Sequence, residues 1–358
     1  MAGNPFKPTA GATPPVLVGR ESLIQEFEDS LADGPGAPAR LSLVTGNRGV
    51  GKTALLNAFR DKARAHGWQT IDETAEAGFI ERIANQLVSK RRQITGVSLP
   101  GGLSVELSEA RQALDFRTIL TRELEKPFFR KGLLITLDET QAGSIEELRT
   151  LGTTMQHMIR ENRDIALVMA GLPSVLPILH RDKVISFFRR ATPMQLKDVS
   201  LELVADSFRQ VFDSNKREVA DEAIELMAEA TRGYPYMIQL VGYQTWQQAR
   251  DSAAITCEHA KEGAAAALRR LGNTVHGLEL DGLSNVDRTF LLAMAQDSGA
   301  SSVRDIAERL GKDSNYVGTY RARLIEAGVI TQAGYGKVDF AIPYMREWLK
   351  GHESLSFL

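Results

Sequence analysis

A single cysteine, Cys257, excludes an internal disulfide framework and suits a reducing compartment. No apolar run approaches the roughly 18 residues of a membrane-spanning helix, so no membrane partner is expected. The opening stretch, MAGNPFKPTAGATPP, lacks the apolar centre of a signal peptide. Rich in Pro, Gly, Ala and Thr, residues 1–15 read as a flexible tail. Neither sign of charge dominates: 43 Lys and Arg against 45 Asp and Glu leave a formal net charge of −2, which excludes a global attraction to polyanions. The six histidines show no metal-ligand spacing, and no internal repeat is found. What remains is a cytoplasmic globular chain whose 358 residues are too many for one ordinary domain.

One string carries chemistry outright. GNRGVGKT, residues 46–53, fits Gly-x-x-x-x-Gly-Lys-[Ser/Thr] at every fixed position. Before it, Leu41 to Thr45 reads as a short buried strand; after it, Thr53 to His66 has helical spacing, with Leu55, Leu56 and Phe59 on one side and Gly67 placed to end the helix. Strand, glycine-rich turn and helix make a P-loop unit. Gly46, Gly49 and Gly51 let the backbone wrap phosphate oxygens, with Asn47, Arg48 and Val50 between them. The exposed amides and the helix N-terminus favour negative charge. Lys52 is expected on the β- and γ-phosphates, and the Thr53 hydroxyl on Mg²⁺.

GLLITLDET, residues 132–140, narrows the choice of nucleotide chemistry. Leu133 to Leu137 is a continuous apolar run, as in a central parallel strand covered on both faces. Asp138 and Glu139 then fall at its C-terminal end, where open α/β sheets bind ligands. Asp138 suits the Mg²⁺ shell, and Glu139 suits a general base for an attacking water. No Asn-Lys-x-Asp guanine motif is present, so ATP and Mg²⁺ are the expected cofactors.

With these motifs the chain resembles the AAA+ and STAND branch of P-loop ATPases, especially the origin-recognition and cell-division-cycle initiator type and related archaeal and actinobacterial ATPases. The resemblance spans roughly residues 16–350. VLVGRESLIQEFEDSL, residues 16–31, is similar to the segment that precedes the P-loop in this group, which implies that Val18, Gly19 and Arg20 lie by the adenine. RGYPYMIQLVGYQTW, residues 232–246, resembles the lid motif and implies Pro235 near nucleotide; many members place an arginine next, but here Tyr236 follows. IALVMAGLPSVL, residues 165–176, also departs from the pattern, because Ala170 and Gly171 stand where a polar sensor is common. SFFRRATPMQL, residues 186–196, puts Arg189 and Arg190 just before the last expected strand, Met194 to Leu196. The resemblance implies that such an arginine reaches a neighbouring subunit's site; a solvated basic pair or a cis phosphate contact are the alternatives.

The implied architecture is an α/β AAA+-like parallel-sheet domain over 16–197, a helical lid over 198–275, a glycine-rich linker over 272–284 and a winged helix-turn-helix over 284–350. The last rests on NVDRTFLLAMAQ, SVRDIAERLG and DSNYVGTYRARLIEAG as three helices, the third capped by Ser314. VITQAGYGKVDFAI follows as a two-stranded wing, and a final helix starts at Pro343. A recognition helix presents its first residues to base edges, so Asn315, Tyr316, Thr319 and Arg323 are candidate base contacts, with Lys337 on a phosphate. From Ser284 to Leu358 nine basic residues meet nine acidic ones, which weakens any phosphate-driven affinity. The expected function is an ATP-hydrolysing switch acting with DNA, as a homo-oligomer or with a protein partner. The alternative is a STAND-type signalling ATPase whose winged helix contacts protein. ITGVSLPGGLSVEL, residues 94–107, reads as a hairpin-like insertion.

Overall fold

In the computed structural model, which describes residues 3–95, 115–181, 186–252 and 254–352, the apolar run 41–45 is strand β1 (Leu41–Thr45), buried along its length. The hairpin expected within 94–107 lies almost wholly outside the described residues. The chain divides into two compact units, one of Arg20–Gly46 and Lys52–Gln195, the other of Met1–Gly19, Asn47–Gly51 and Leu196–Leu358.

The first unit is a parallel α/β layer. Helix α1 (Glu21–Asp33) precedes β1, and α2 (Lys52–Ala65) follows the P-loop. Then come β2 (Gln69–Thr74), α3 (Phe79–Thr95), α4 (Phe116–Leu124), β3 (Leu133–Asp138), α5 (Ile145–Arg160), β4 (Ile165–Gly171), α6 (Val175–Arg181) and β5 (Thr192–Gln195). The strands pair in the order β2-β3-β4-β1-β5, all parallel. Ile165–Met169 is apolar throughout, and Leu133–Leu137 is apolar except for Thr136, because both faces of a central parallel strand are covered. Ser144 caps α5 by accepting the Glu147 N–H at 3.2 Å, a contact of the kind that stabilises a helix by about 1 kcal/mol. This strand order brings the C-terminal ends of β1, β4 and β3 side by side, where ligands bind in open α/β sheets. Gly46 N–H donates to Gly171 O at 3.4 Å.

The second unit is mostly helical. It holds α7 (Leu201–Ser214), α8 (Asp221–Thr231), α9 (Pro235–Gln248) and α10 (Cys257–Leu271). Two short strands interrupt the expected all-helical run: β6 (Glu218–Val219) pairs in parallel with β7 (Ala254–Ile255). The tail expectation for residues 1–15 is corrected by Phe6, whose side chain is buried among Phe208 and Phe212 with ring centroids 5.9 and 5.5 Å away. Gly242 opens its socket, since a Cβ there would lie 2.4 Å from the Phe6 ring. Asn4 Nδ2 donates to Tyr243 O at 3.0 Å and fixes the approach. Burial of one such ring contributes about 1.5–3 kcal/mol.

The glycine-rich stretch 272–284 is also a correction. A π-helical turn, Gly272–His276, continues α10 directly into α11 (Gly277–Asp281). Gly272 serves packing here rather than breaking the helix, because a Cβ would meet the Trp348 ring at 2.5 Å. Beyond it lie α12 (Asn285–Ala295), β8 (Ser301–Ser302), α13 (Val303–Leu310), α14 (Ser314–Glu326), β9 (Ile330–Gln332), β10 (Lys337–Phe340) and α15 (Met345–Lys350). Three helices are followed by the β9–β10 hairpin, with β8 on the far side of β10. Asp313, not Ser314, caps α14, accepting the N–H groups of Asn315 and Tyr316 at 2.9 and 2.8 Å.

His276, in the π turn, is almost fully buried. Its Nε2 lies 3.0 Å from Pro343 O, so Nε2 carries the proton and Nδ1 is left bare. Protonation would put a charged N–H at Nδ1 with no protein acceptor; burial drives the pKa down to about 4, with Glu347 opposing it only weakly. Because the folded value lies below the unfolded one, stability is retained above about pH 6.5. It is lost as pH falls towards about 4, by on the order of 3 kcal/mol. Denaturant midpoints measured from pH 7 to pH 4 should fall less steeply for His276→Gln than for the wild type. Parallel curves would contradict this.

Candidate nucleotide site

Within the sheet unit, β1 delivers the chain to Gly46 and α2 begins at Lys52, so the amino end of a helix opens where the P-loop closes. Lys52 is buried, and its Nζ donates to Gly46 O at 3.0 Å. Thr53 Oγ1 donates to Asp138 Oδ2 at 2.5 Å. This bond joins the two residues expected to share a metal shell, one from each motif. Asp138 Oδ1 accepts the Glu139 N–H at 2.8 Å. Glu139 is exposed and has φ 51°, the left-handed region a non-glycine residue seldom adopts. Thr140 Oγ1 donates to Ala170 O at 2.9 Å and so ties the turn after β3 to β4. Arg189 and Arg190 are exposed in a short helical turn, Ser186–Arg190, directly before β5.

The P-loop tip, Asn47–Gly51, groups with the helical unit, as does Val16–Gly19. The expected boundary of the sheet domain at 16–197 is therefore redrawn, for two physical reasons. Val16 and Val18 pack on the helical core. Tyr234 Oη donates to Arg48 O at 3.0 Å, and the Tyr236 N–H donates to Gly49 O at 3.2 Å. Pro235, at the first position of α9, holds these two tyrosines in place. Burial pushes the Tyr234 phenol well above its usual range, so it remains a donor. Gly49 has φ 73°, and a Cβ there would lie 1.9 Å from Tyr234 Oη. Arg48 forms an ion pair with Glu279 of α11 at 2.6 Å, and Asn47 Nδ2 donates to Ala341 O at 3.3 Å. Gly19 is left-handed, against Leu203 and Val199. Arg20 stands at the amino end of α1. Tyr234 and Glu279 were not singled out in the sequence; only their position beside the Gly-x-Pro string and in the glycine-rich stretch marked them.

On the third helix of the C-terminal module, Asn315 and Thr319 are exposed. Tyr316 is half-buried against Tyr320, with ring centroids 4.8 Å apart. Arg323 is exposed as expected, and its guanidinium also binds the buried Asp287 carboxylate at 2.5 Å. Lys337 is exposed at the start of β10, beside the fully exposed Tyr335 at the hairpin tip.

A P-loop after β1, an Asp-Glu pair after β3 and the strand order β2-β3-β4-β1-β5 define a P-loop ATPase fold of the AAA+ type. Residues 16–168 match the AAA ATPase domain family. Residues 273–349 match a domain of unknown function. A Walker-type ATPase of Pyrococcus abyssi superposes with a TM-score of 0.67 at 19% identity, covering 93% of this chain and 96% of the other. The ORC2 protein of Aeropyrum pernix, solved in ADPNP and ADP complexes, gives 0.66 at 14% identity, covering 98% and 96%. A Methanocaldococcus jannaschii protein described as an uncharacterized HTH-type transcriptional regulator is 23% identical over 365 residues, 91% of this chain and 87% of the relative. Among the described residues no helix is long and apolar enough to cross a membrane.

Proposed function

We propose that this chain is a Mg-dependent ATPase that works as a DNA-associated switch. The observation that carries the ATPase part is the Thr53–Asp138 hydrogen bond, which places two hard oxygen donors together beside Lys52. The donor set fits Mg²⁺, an oxygen-preferring cation that neutralises phosphate charge when bound. Gly46, Gly49 and Gly51 wrap the phosphates, Lys52 pairs with the β- and γ-phosphates, and Thr53 and Asp138 hold the metal. Glu139 takes a proton from the attacking water as the water oxygen bonds to the γ-phosphorus. The bond to the bridging oxygen breaks and leaves its electron pair on ADP. Val18, Gly19, Arg20 and Pro235 line the adenine end, and Arg189 or Arg190 acts in trans in an oligomer.

The DNA part is supported by the exposed Asn315 and Thr319 on α14 and by the description of the methanogen relative. With Arg323 engaged by Asp287, base readout rests on Asn315, and phosphate contact on Lys337. A good bidentate Asn–adenine pair contributes about 1–3 kcal/mol of base discrimination. Asn315→Ala should therefore weaken binding to a selected duplex more than to random duplex, whereas Lys337→Ala should weaken both alike and flatten the salt dependence. Fluorescence anisotropy at low salt, with and without ATP, reads both. No binding by the full chain under either condition would remove the DNA part.

A second reading, the STAND-type signalling switch, is favoured by one observation. Arg48 and Asn47 of the P-loop tip already contact Glu279 and Ala341 of the C-terminal region. In that reading the C-terminal module restrains nucleotide exchange and releases on meeting a protein partner.

A further inference from the structure

Strand β4 ends without a polar side chain, at Ala170 and Gly171. The place beside it is occupied by the amide of Gln141, which comes from the turn after β3. The Leu172 N–H donates to Gln141 Oε1 at 3.0 Å, and Gln141 Nε2 donates to Glu139 Oε2. The backbone donor at Leu172 fixes which end of the amide is oxygen. The nitrogen must then face the Glu139 carboxylate, and a flipped amide would set donor against donor and acceptor against acceptor. Gly171 makes the room: a Cβ there would lie 2.8 Å from Gln141 Oε1. Glu139 is otherwise an exposed side chain on a left-handed residue. One half-buried amide thus connects the end of β4 to the Glu139 carboxylate.

We infer that Gln141 is a positioning residue for hydrolysis: it holds the Glu139 carboxylate against the end of β4 and supplies from the β3 turn the polar group that β4 lacks. This rests on the reading of Glu139 as general base. Gln141 touches neither nucleotide nor water in this role and acts through Glu139 alone. Misplacing a catalytic group by about 1 Å costs on the order of a hundredfold in rate, so loss of the amide is expected to lower kcat by between about ten- and a hundredfold. The KM for ATP and the affinity for a non-hydrolysable ATP analogue should stay within about twofold, because the Lys52, Thr53 and Asp138 contacts are untouched.

The test uses the full chain with Mg·ATP and four variants: Gln141→Ala, Gly171→Ala, Glu139→Gln and the double variant Glu139→Gln/Gln141→Ala. Gly171→Ala displaces the amide without changing Gln141, so it probes the same contact if Gln141→Ala folds poorly. Both should show the kcat loss with KM retained. The double variant should be no slower than Glu139→Gln alone, since a residue acting through Glu139 has nothing left to position. Turnover that depends on Glu139 but ignores both Gln141→Ala and Gly171→Ala overturns the inference. So does a further loss in the double variant, which would mark an independent structural effect. Equal turnover in Glu139→Gln and wild type would instead remove Glu139 from the mechanism, which is a separate failure.

Discussion

Lys52→Ala loses the stabilisation that Mg·ATP confers on the wild type. The lysine is buried, with its ammonium on a backbone carbonyl at 3.0 Å. A carbonyl is a weak partner for a buried cation, and an anionic phosphate is a strong one. The wild type at about a hundred times the dissociation constant gains roughly 2.7 kcal/mol from its ligand, a rise in melting temperature of several degrees. The alanine variant loses the ammonium at the start of α2, and its melting curve should be the same with and without nucleotide. A variant that shifts as the wild type does would show that the phosphates are held elsewhere.

Glu139→Gln separates binding from turnover. The Thr53–Asp138 bond and Lys52 are unchanged by this substitution, so Mg·ATP should still raise the melting temperature. Glutamine accepts no proton, and a general base contributes about 10²- to 10⁴-fold, so steady-state phosphate release should fall by at least about a hundredfold. Release within a few-fold of the wild type would remove Glu139 from the proton transfer.

The parts of this molecule legible in its sequence are those dictated by local pattern. Leu41–Thr45 and Leu133–Leu137 read as strands because strands buried on both faces are written as short, mostly apolar runs. The P-loop read as a loop because Gly49 and Gly51 adopt left-handed angles that only glycine takes freely. What the sequence concealed depends on partners far along the chain. Nothing near Phe6 announces the socket opened by Gly242. Gly272 looks like a helix breaker until Trp348 is brought against it. The ion pair of the exposed Arg323 with the buried Asp287 is not written locally, and Gln141 has no evident task until Leu172 and Glu139 flank it. Local rules give a glycine its torsional freedom; they do not say whether that freedom serves a turn or makes space for a ring.

The Phe6 anchor makes the core of the helical unit draw on both ends of the chain. The strands of the sheet unit are all made by Gln195, so that unit can collect its core while the rest of the chain is still being made. The helical unit cannot: its core includes Phe6, near the amino end, alongside Phe208, Phe212 and the Gly242 socket. Closing a loop of that length carries a large entropic cost before any contact compensates for it. Docking of Phe6 joins the two ends of the polypeptide in one core, and the adjoining Val16–Gly19 segment is drawn into place with it.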